Sequence, residues 1–227
     1  MDFFFSSPKK GQHIVLLGDS TFDNKNYVDE GGKSVVEHLQ TLAPKATLLA
    51  KDGGLIHAIN SQADGIPADA SHVVVSIGGN NGLEATAVLL RECQTVEEGV
   101  ILLQERMVGL EKEYREVMTA LVERCKGKHH VVLCSVYKPC FEHFDVRPRQ
   151  KAVDVGVVLF ADCIHRIARD LGVPVLDMRS IMDTVDCFAN PIEPSAIGGG
   201  KIAKGIVDLV EKHDFDKGIC IVYPQGR

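Results

Sequence analysis

Five short apolar runs constrain this chain more than any other feature: His13–Leu17, Ala46–Ala50, His72–Ile77, His129–Val136 and Val173–Leu176. Each is nearly continuous in Val, Ile and Leu rather than alternating with polar residues, as in strands covered on both faces. Helix-forming stretches separate them. Ser34-Val35-Val36-Glu37 and Thr95-Val96-Glu97-Glu98 have the spacing of capping boxes. After the second, Val100, Leu103, Met107, Leu110, Tyr114, Val117 and Leu121 recur at three- and four-residue steps, and Gly127 ends the pattern. Further helices are expected from about Lys151 to Leu171 and from Gly199 to Lys212, and Ile219–Tyr223 is a candidate edge strand. Strands joined through helices make a parallel sheet with right-handed crossovers and helices on both faces. The fold class is therefore a three-layer α/β/α sandwich. No linker, repeat or low-complexity segment divides the 227 residues, so one domain over 1–227 is expected.

Composition narrows the partners. The net charge of −6 carries no basic excess that would favour nucleic acid or an anionic membrane surface. No apolar run reaches the ~18 residues of a membrane span. The start, MDFFFSSPKK, lacks the basic opening and apolar core of a signal peptide, so a cytoplasmic location is expected. Seven scattered cysteines without a C-x-x-C predict neither a disulfide framework nor a metal site, and no cofactor is expected. Nothing in the sequence speaks to oligomeric state.

In parallel sheets ligands bind beyond the carboxyl ends of the strands. The first run ends in Gly18-Asp19-Ser20, the second in Lys51-Asp52-Gly53-Gly54 and the third in Gly78-Gly79-Asn80-Asn81. Singly, these are ordinary turn compositions. Together they supply what acyl transfer needs. Ser20 is a candidate nucleophile. The Gly53 backbone N–H and the Asn80 side-chain amide are candidate oxyanion donors, and removing one such donor typically costs ~10²–10³ in rate.

In these residues the sequence resembles the SGNH or GDSL-type hydrolases. "GDS" matches the first block of that family with Ser20 as nucleophile, "AKDGG" the second with Gly53, and "VVVSIGGNN" the third with Asn80. "NPIEPSAIGGGKIA" occupies the fifth block, so the likeness spans nearly the whole chain. The resemblance implies a flavodoxin-like, five-stranded parallel sheet ordered 2-1-3-4-5. It also implies hydrolysis of carboxylic esters through an acyl-Ser20 intermediate, with the Ser20 backbone N–H, Gly53 and Asn80 forming the oxyanion hole. The partner is then a small-molecule ester.

One block departs from the family. Its Asp-x-x-His is here Asn190-Pro191-Ile192-Glu193, and Asn81 stands where an Asp is common. The resemblance extends to a subgroup carrying Asn-Pro-Ile-Glu-Pro-Ser. Glutamate normally ionises near 4.3, too low for a base at neutral pH, but burial that raises it to ~6–7 would fit it for the task. Pro191 and Pro194 stiffen the loop that would hold it. His57, four residues after Gly53, and His143, in the loop after the fourth strand, are alternative bases. Asp19 reads either as a charge tuning Ser20 or as a turn carboxylate binding local N–H groups. Asp177 reads either as a loop tie or as a cleft residue.

Gly198-Gly199-Gly200-Lys201 is no P-loop: Ile202 follows the lysine and no strand directly precedes. Small residues suit a helix packed close to the sheet with Ser195 as its cap, and an anion at Lys201 is the lesser reading. No G-x-G-x-x-G follows the first strand. Two functions follow. One is a serine esterase using Ser20 and Glu193, with Asp19, Asn190 and His57 as candidate supports. The other is a catalytically impaired relative that binds an acyl or glycan ligand, or a protein partner, in the same cleft.

Overall fold

The computed structural model describes residues 12–43, 45–141, 143 and 150–224. Residues 1–11 and part of the loop after the fourth strand (142 and 144–149) lie outside these residues. Six strands form one sheet: β1 (His13–Gly18), β2 (Lys45–Leu48), β3 (His72–Ser76), β4 (His130–Cys134), β5 (Val175–Leu176) and β6 (Val222–Tyr223). Their spatial order is β2-β1-β3-β4-β5-β6, and every neighbouring pair is parallel. The expected 2-1-3-4-5 order holds, and the five-strand count is corrected to six. The candidate tail strand docks on β5 as β6, and each of the two is only two residues long.

The helices are α1 (Val35–Leu42), α2 (Ala58–Ala63), α3 (Gly79–Ala85), α4 (Val96–Cys125), α5 (Gln150–Leu171) and α6 (Ala196–Lys212). Alternation along each strand assigns the two faces. Val15, Leu17, Val73, Val75 and Leu133 pack with residues of α2, α4 and α5, and Ile14, Leu16, Val74 and Val132 pack with those of α1 and α6. These side chains are buried on both faces, which is why the runs read as continuous rather than alternating.

The Ser34 capping box forms in full, with Ser34 N–H donating to Glu37 at 2.8 Å. That of Thr95 is only half formed. Thr95 Oγ accepts the Glu98 N–H at 3.1 Å, whereas the Glu98 carboxylate turns to the Gln94 N–H at 2.7 Å. On α4 the stripe is buried from Leu110 onward, while Val100 is 60% exposed. α4 runs antiparallel to the strands, so its first turns project beyond their carboxyl ends. α3 and the 3-10 turn Thr86–Leu90 that follows were not expected from the sequence. Together they form a wall at the same edge.

Candidate active site

β1 stops where the chain must turn sharply. Gly18 has φ +143, and a Cβ there would meet the Ser76 carbonyl oxygen at 1.9 Å. Only glycine lets β1 and β3 stay paired at this point. Gln62 of α2, buried, holds the Gly18 peptide from both ends: its Oε1 accepts the Gly18 N–H at 2.7 Å and its Nε2 donates to the Gly18 carbonyl at 2.8 Å. Beyond it the Asp19 carbonyl accepts the N–H groups of Phe22 and Asp23, each at 3.1 Å, which folds the chain back and leaves Ser20 at the turn. The Asp19 carboxylate accepts the Thr21 N–H at 3.0 Å, as a turn carboxylate does. Burial nevertheless lifts its pKa to about 6. The Ser20 N–H has no acceptor among the described residues.

Glu193 reaches this turn from the loop before α6. That loop is pinned through four successive carbonyls. Those of Pro191, Ile192, Glu193 and Pro194 accept, in order, the Cys140 N–H at 2.7 Å, the Tyr137 hydroxyl at 2.6 Å, the Ala189 N–H at 2.9 Å and the Asn24 side-chain amide at 3.0 Å. Asn190 closes the turn from within, its Oδ1 accepting the N–H groups of Ile192 at 3.0 Å and Glu193 at 2.9 Å. With these backbone groups paired, the chain has little freedom and the Glu193 side chain is held in place.

The carboxyl it presents is 5% exposed. The Ser20 hydroxyl approaches it and favours its ionised form, and Oε2 is buried with no hydrogen-bond partner among the described residues. Desolvation outweighs the hydroxyl, with the negative charges of Asp19 and Asp52 adding to it, and lifts the pKa to about 7. A carboxyl with this value gains and loses its proton at neutral pH, as a histidine does.

Asn80 lies in the first turn of α3 and lines the same cleft as Ser20 and Glu193. Its Nδ2 donates one hydrogen to the Gly54 carbonyl at 2.9 Å, which orients the amide and leaves its second hydrogen available. Asn81 points away, its Oδ1 accepting the Ile56 N–H at 3.0 Å. Gly53 sits on the exposed turn after β2 with φ +72; its N–H has no acceptor among the described residues, and it is not among the residues lining the cleft.

The other expected residues fall elsewhere. His57 is exposed at the start of α2 and outside the cleft lining. Asp177 is a loop tie, paired with Arg179 at 2.7 Å and accepting the Ser135 hydroxyl at 3.0 Å. Lys201 is ion-paired with Asp183 at 2.9 Å, and Ser195 caps α6. Among the described residues no cluster of His, Cys, Asp or Glu is placed to hold a metal ion. Asn24, Gln62 and Tyr137, which hold the turn and the loop, went unread in the sequence.

No protein-family model matches the chain, and no curated protein matches it. Solved structures do. The chain is similar to phospholipase A1 from Streptomyces albidoflavus at a TM-score of 0.61 and 15% identity, over 87% of this chain and 99% of that one. It is similar to a member of the lipolytic G-D-S-L family from Veillonella parvula at 0.59 and 16%, over 89% and 100%. It is similar to an acetyl xylan esterase, AlAXEase, at 0.61 and 17%, over 87% and 99%. The chain has the α/β fold of the SGNH hydrolases. These neighbours include both lipases and an acetyl xylan esterase. No helix among the described residues is long and apolar enough to cross a membrane.

Proposed function

We propose that this chain is a GDSL-type serine esterase in which Glu193 performs the proton transfer that the histidine of an Asp-x-x-His block performs in its relatives. The observation that carries the reading is the buried Glu193 carboxyl facing the Ser20 hydroxyl, its pKa pushed up to about 7. A serine hydroxyl is a weak nucleophile until a neighbour takes its proton, and a base works best with a pKa near the working pH.

Ser20 Oγ attacks the ester carbonyl carbon while its proton passes to Glu193. The oxyanion so formed accepts hydrogen bonds from the Ser20 N–H and the free hydrogen of Asn80 Nδ2; Gly53, expected from the sequence as a third donor, lies outside the cleft lining. Collapse breaks the carbon–oxygen bond to the alcohol, which leaves with the proton from Glu193. Water then attacks acyl-Ser20, giving a proton to the ionised Glu193, and the acid departs as Ser20 Oγ takes that proton back. Asn190 is a positioning residue: it fixes the peptide that carries Glu193 and touches no reacting atom. The Asn-Pro-Ile-Glu-Pro-Ser block is on this reading a working variant of the family's fifth block.

The test is labelling with an activated fluorophosphonate followed by mass mapping. Modification of Ser20, lost in Ser20→Ala and slowed below pH 7 as Glu193 takes up its proton, supports the proposal. Folded protein that resists the reagent at pH 8 refutes it and favours a cleft that binds without turnover.

A further inference from the structure

The cleft at Ser20 runs on between α3, α4 and α5, and the whole cavity encloses about 130 Å³. Its walls come from periodic helix faces: Leu83 of α3, Met107 and Leu110 of α4, and Val153, Val157 and Phe160 of α5. The charged side chains that line it are Asp19 and Glu193 at the Ser20 end and Arg106 on an exposed stretch of α4, one turn before the buried Leu110. Two glycines complete the wall, Gly82 in α3 and Gly156 in α5. A Cβ on either would meet no atom within 4 Å, although each residue sits in a helix. Glycine inside a helix is costly relative to alanine. Here it leaves open space that an ordinary side chain would occupy.

We infer that this pocket receives the acyl chain of the substrate, an unbranched hydrocarbon of which about six carbons are enclosed. The length follows from volume, since an apolar cavity of about 150 Å³ accepts a six-carbon benzene ring. An acetyl group would leave most of the apolar wall without contacts. A sugar would bury hydroxyls where few partners await them. The pocket suits the acyl half of the ester, because that half stays joined to Ser20 through both steps while the alcohol must leave. A longer chain would continue past Leu89 and Arg106 to the surface. This inference rests on the reading of Ser20 as nucleophile, and its test has one arm that does not.

In the turnover arm, kcat/KM is compared across ethyl acetate, ethyl butyrate, ethyl hexanoate and hexyl acetate. Each enclosed methylene should add up to about fourfold, so ethyl hexanoate should exceed both acetates by roughly two orders of magnitude. Gly82→Leu and Gly156→Leu, which should retain or improve helix stability, should each collapse the hexanoate-to-acetate ratio. In the binding arm, calorimetry on Ser20→Ala should give methyl hexanoate a clearly lower Kd than methyl acetate, and adding either leucine should remove the difference. Acetate turnover with no gain for hexanoate, or an equal gain for hexyl acetate, overturns the inference and leaves the esterase reading intact. Turnover of no ester overturns the esterase reading, and the binding series then decides alone: chain-length dependence abolished by the leucines sustains the pocket, and flat binding refutes it.

Discussion

Replacing Glu193 with glutamine separates what this residue contributes to turnover from what it costs in stability. In the unfolded chain its carboxyl ionises near 4.5; in the folded protein the value is about 7. The folded state therefore holds the proton more tightly than the unfolded one. Below pH 4.5 both states are protonated and the group is neutral for stability. Between 4.5 and 7 the unfolded chain gives up its proton first, and stability falls as pH rises. Above 7 the penalty is complete, on the order of 3 kcal/mol at 1.36 kcal/mol per pKa unit. Glutamine is a neutral isostere of the protonated acid, with one donor side and one acceptor side. The variant should match the wild type in urea denaturation at pH 4 and exceed it by roughly 2–3 kcal/mol at pH 8. Its ester turnover should fall by ~10²–10⁴ and lose the rise with pH that the wild type shows around pH 7. A variant no more stable than wild type at pH 8 would refute the desolvated carboxylate. A variant whose turnover still rises through pH 7 would refute Glu193 as the base.

Four further outcomes follow from the same geometry. Asp52→Asn removes a negative charge that raises the pKa of both Asp19 and Glu193, so the pH–rate midpoint should move to lower pH. Asn190→Ala removes two turn hydrogen bonds and should cost about 1–2 kcal/mol; turnover should drop by roughly ten- to a hundredfold through misplacement of Glu193, with kcat falling more than KM rises. Gly18→Ala sets a Cβ against the Ser76 carbonyl oxygen at 1.9 Å and a positive φ, and should cost more than about 3 kcal/mol in denaturation. His72 is buried, with its pKa lowered to about 4 by desolvation and by His130. The unfolded chain takes up that proton first, so stability should fall as pH drops from 6.5 to 4, by roughly 3 kcal/mol, and His72→Gln should flatten that slope.

The sheet was legible because every central strand is buried on both faces, so its sequence is apolar at each position regardless of context. That Ser20 and Asn80 share one cleft was legible because the parallel topology brings consecutive strand ends to one edge. What escaped has local causes. α3 is seven residues opening on Gly79-Asn80-Asn81 after Gly78, a composition read as a turn; its start depends on Gly78 at φ +107, where a Cβ would strike the Phe160 ring at 2.7 Å. The edge strand expected over Ile219–Tyr223 forms only at Val222–Tyr223, where it pairs with β5. Gln62 and Asn24 look like ordinary polar residues. Their roles depend on contacts 44 and 170 positions away, which no local window contains. His57 read as a cleft residue from its distance to Gly53, but the rotation of α2 turns it outward.

Burial ties the two halves of this site together. A histidine starts near pH 6.5 and needs little from its surroundings to serve as a base at neutrality. A glutamate must be lifted, and the means are loss of water and proximity of like charge, both of which weaken the fold. The loop around Glu193 is built to withstand this. Its four carbonyls are anchored to Tyr137, Cys140, Asn24 and its own Ala189, and Asn190 ties the two N–H groups that lead into the glutamate. A looser loop would relax toward solvent, regain hydration and return the carboxyl toward its ordinary value, making the proposed base too weak to draw the Ser20 proton efficiently at pH 7. The anchors and the raised pKa are therefore one device. A variant that frees an anchor while keeping Glu193, such as Tyr137→Phe, should shift the pH–rate midpoint to lower pH while it lowers the rate. A uniform loss of rate with the midpoint unmoved would mean that the loop only places the carboxyl and that its poise comes from elsewhere.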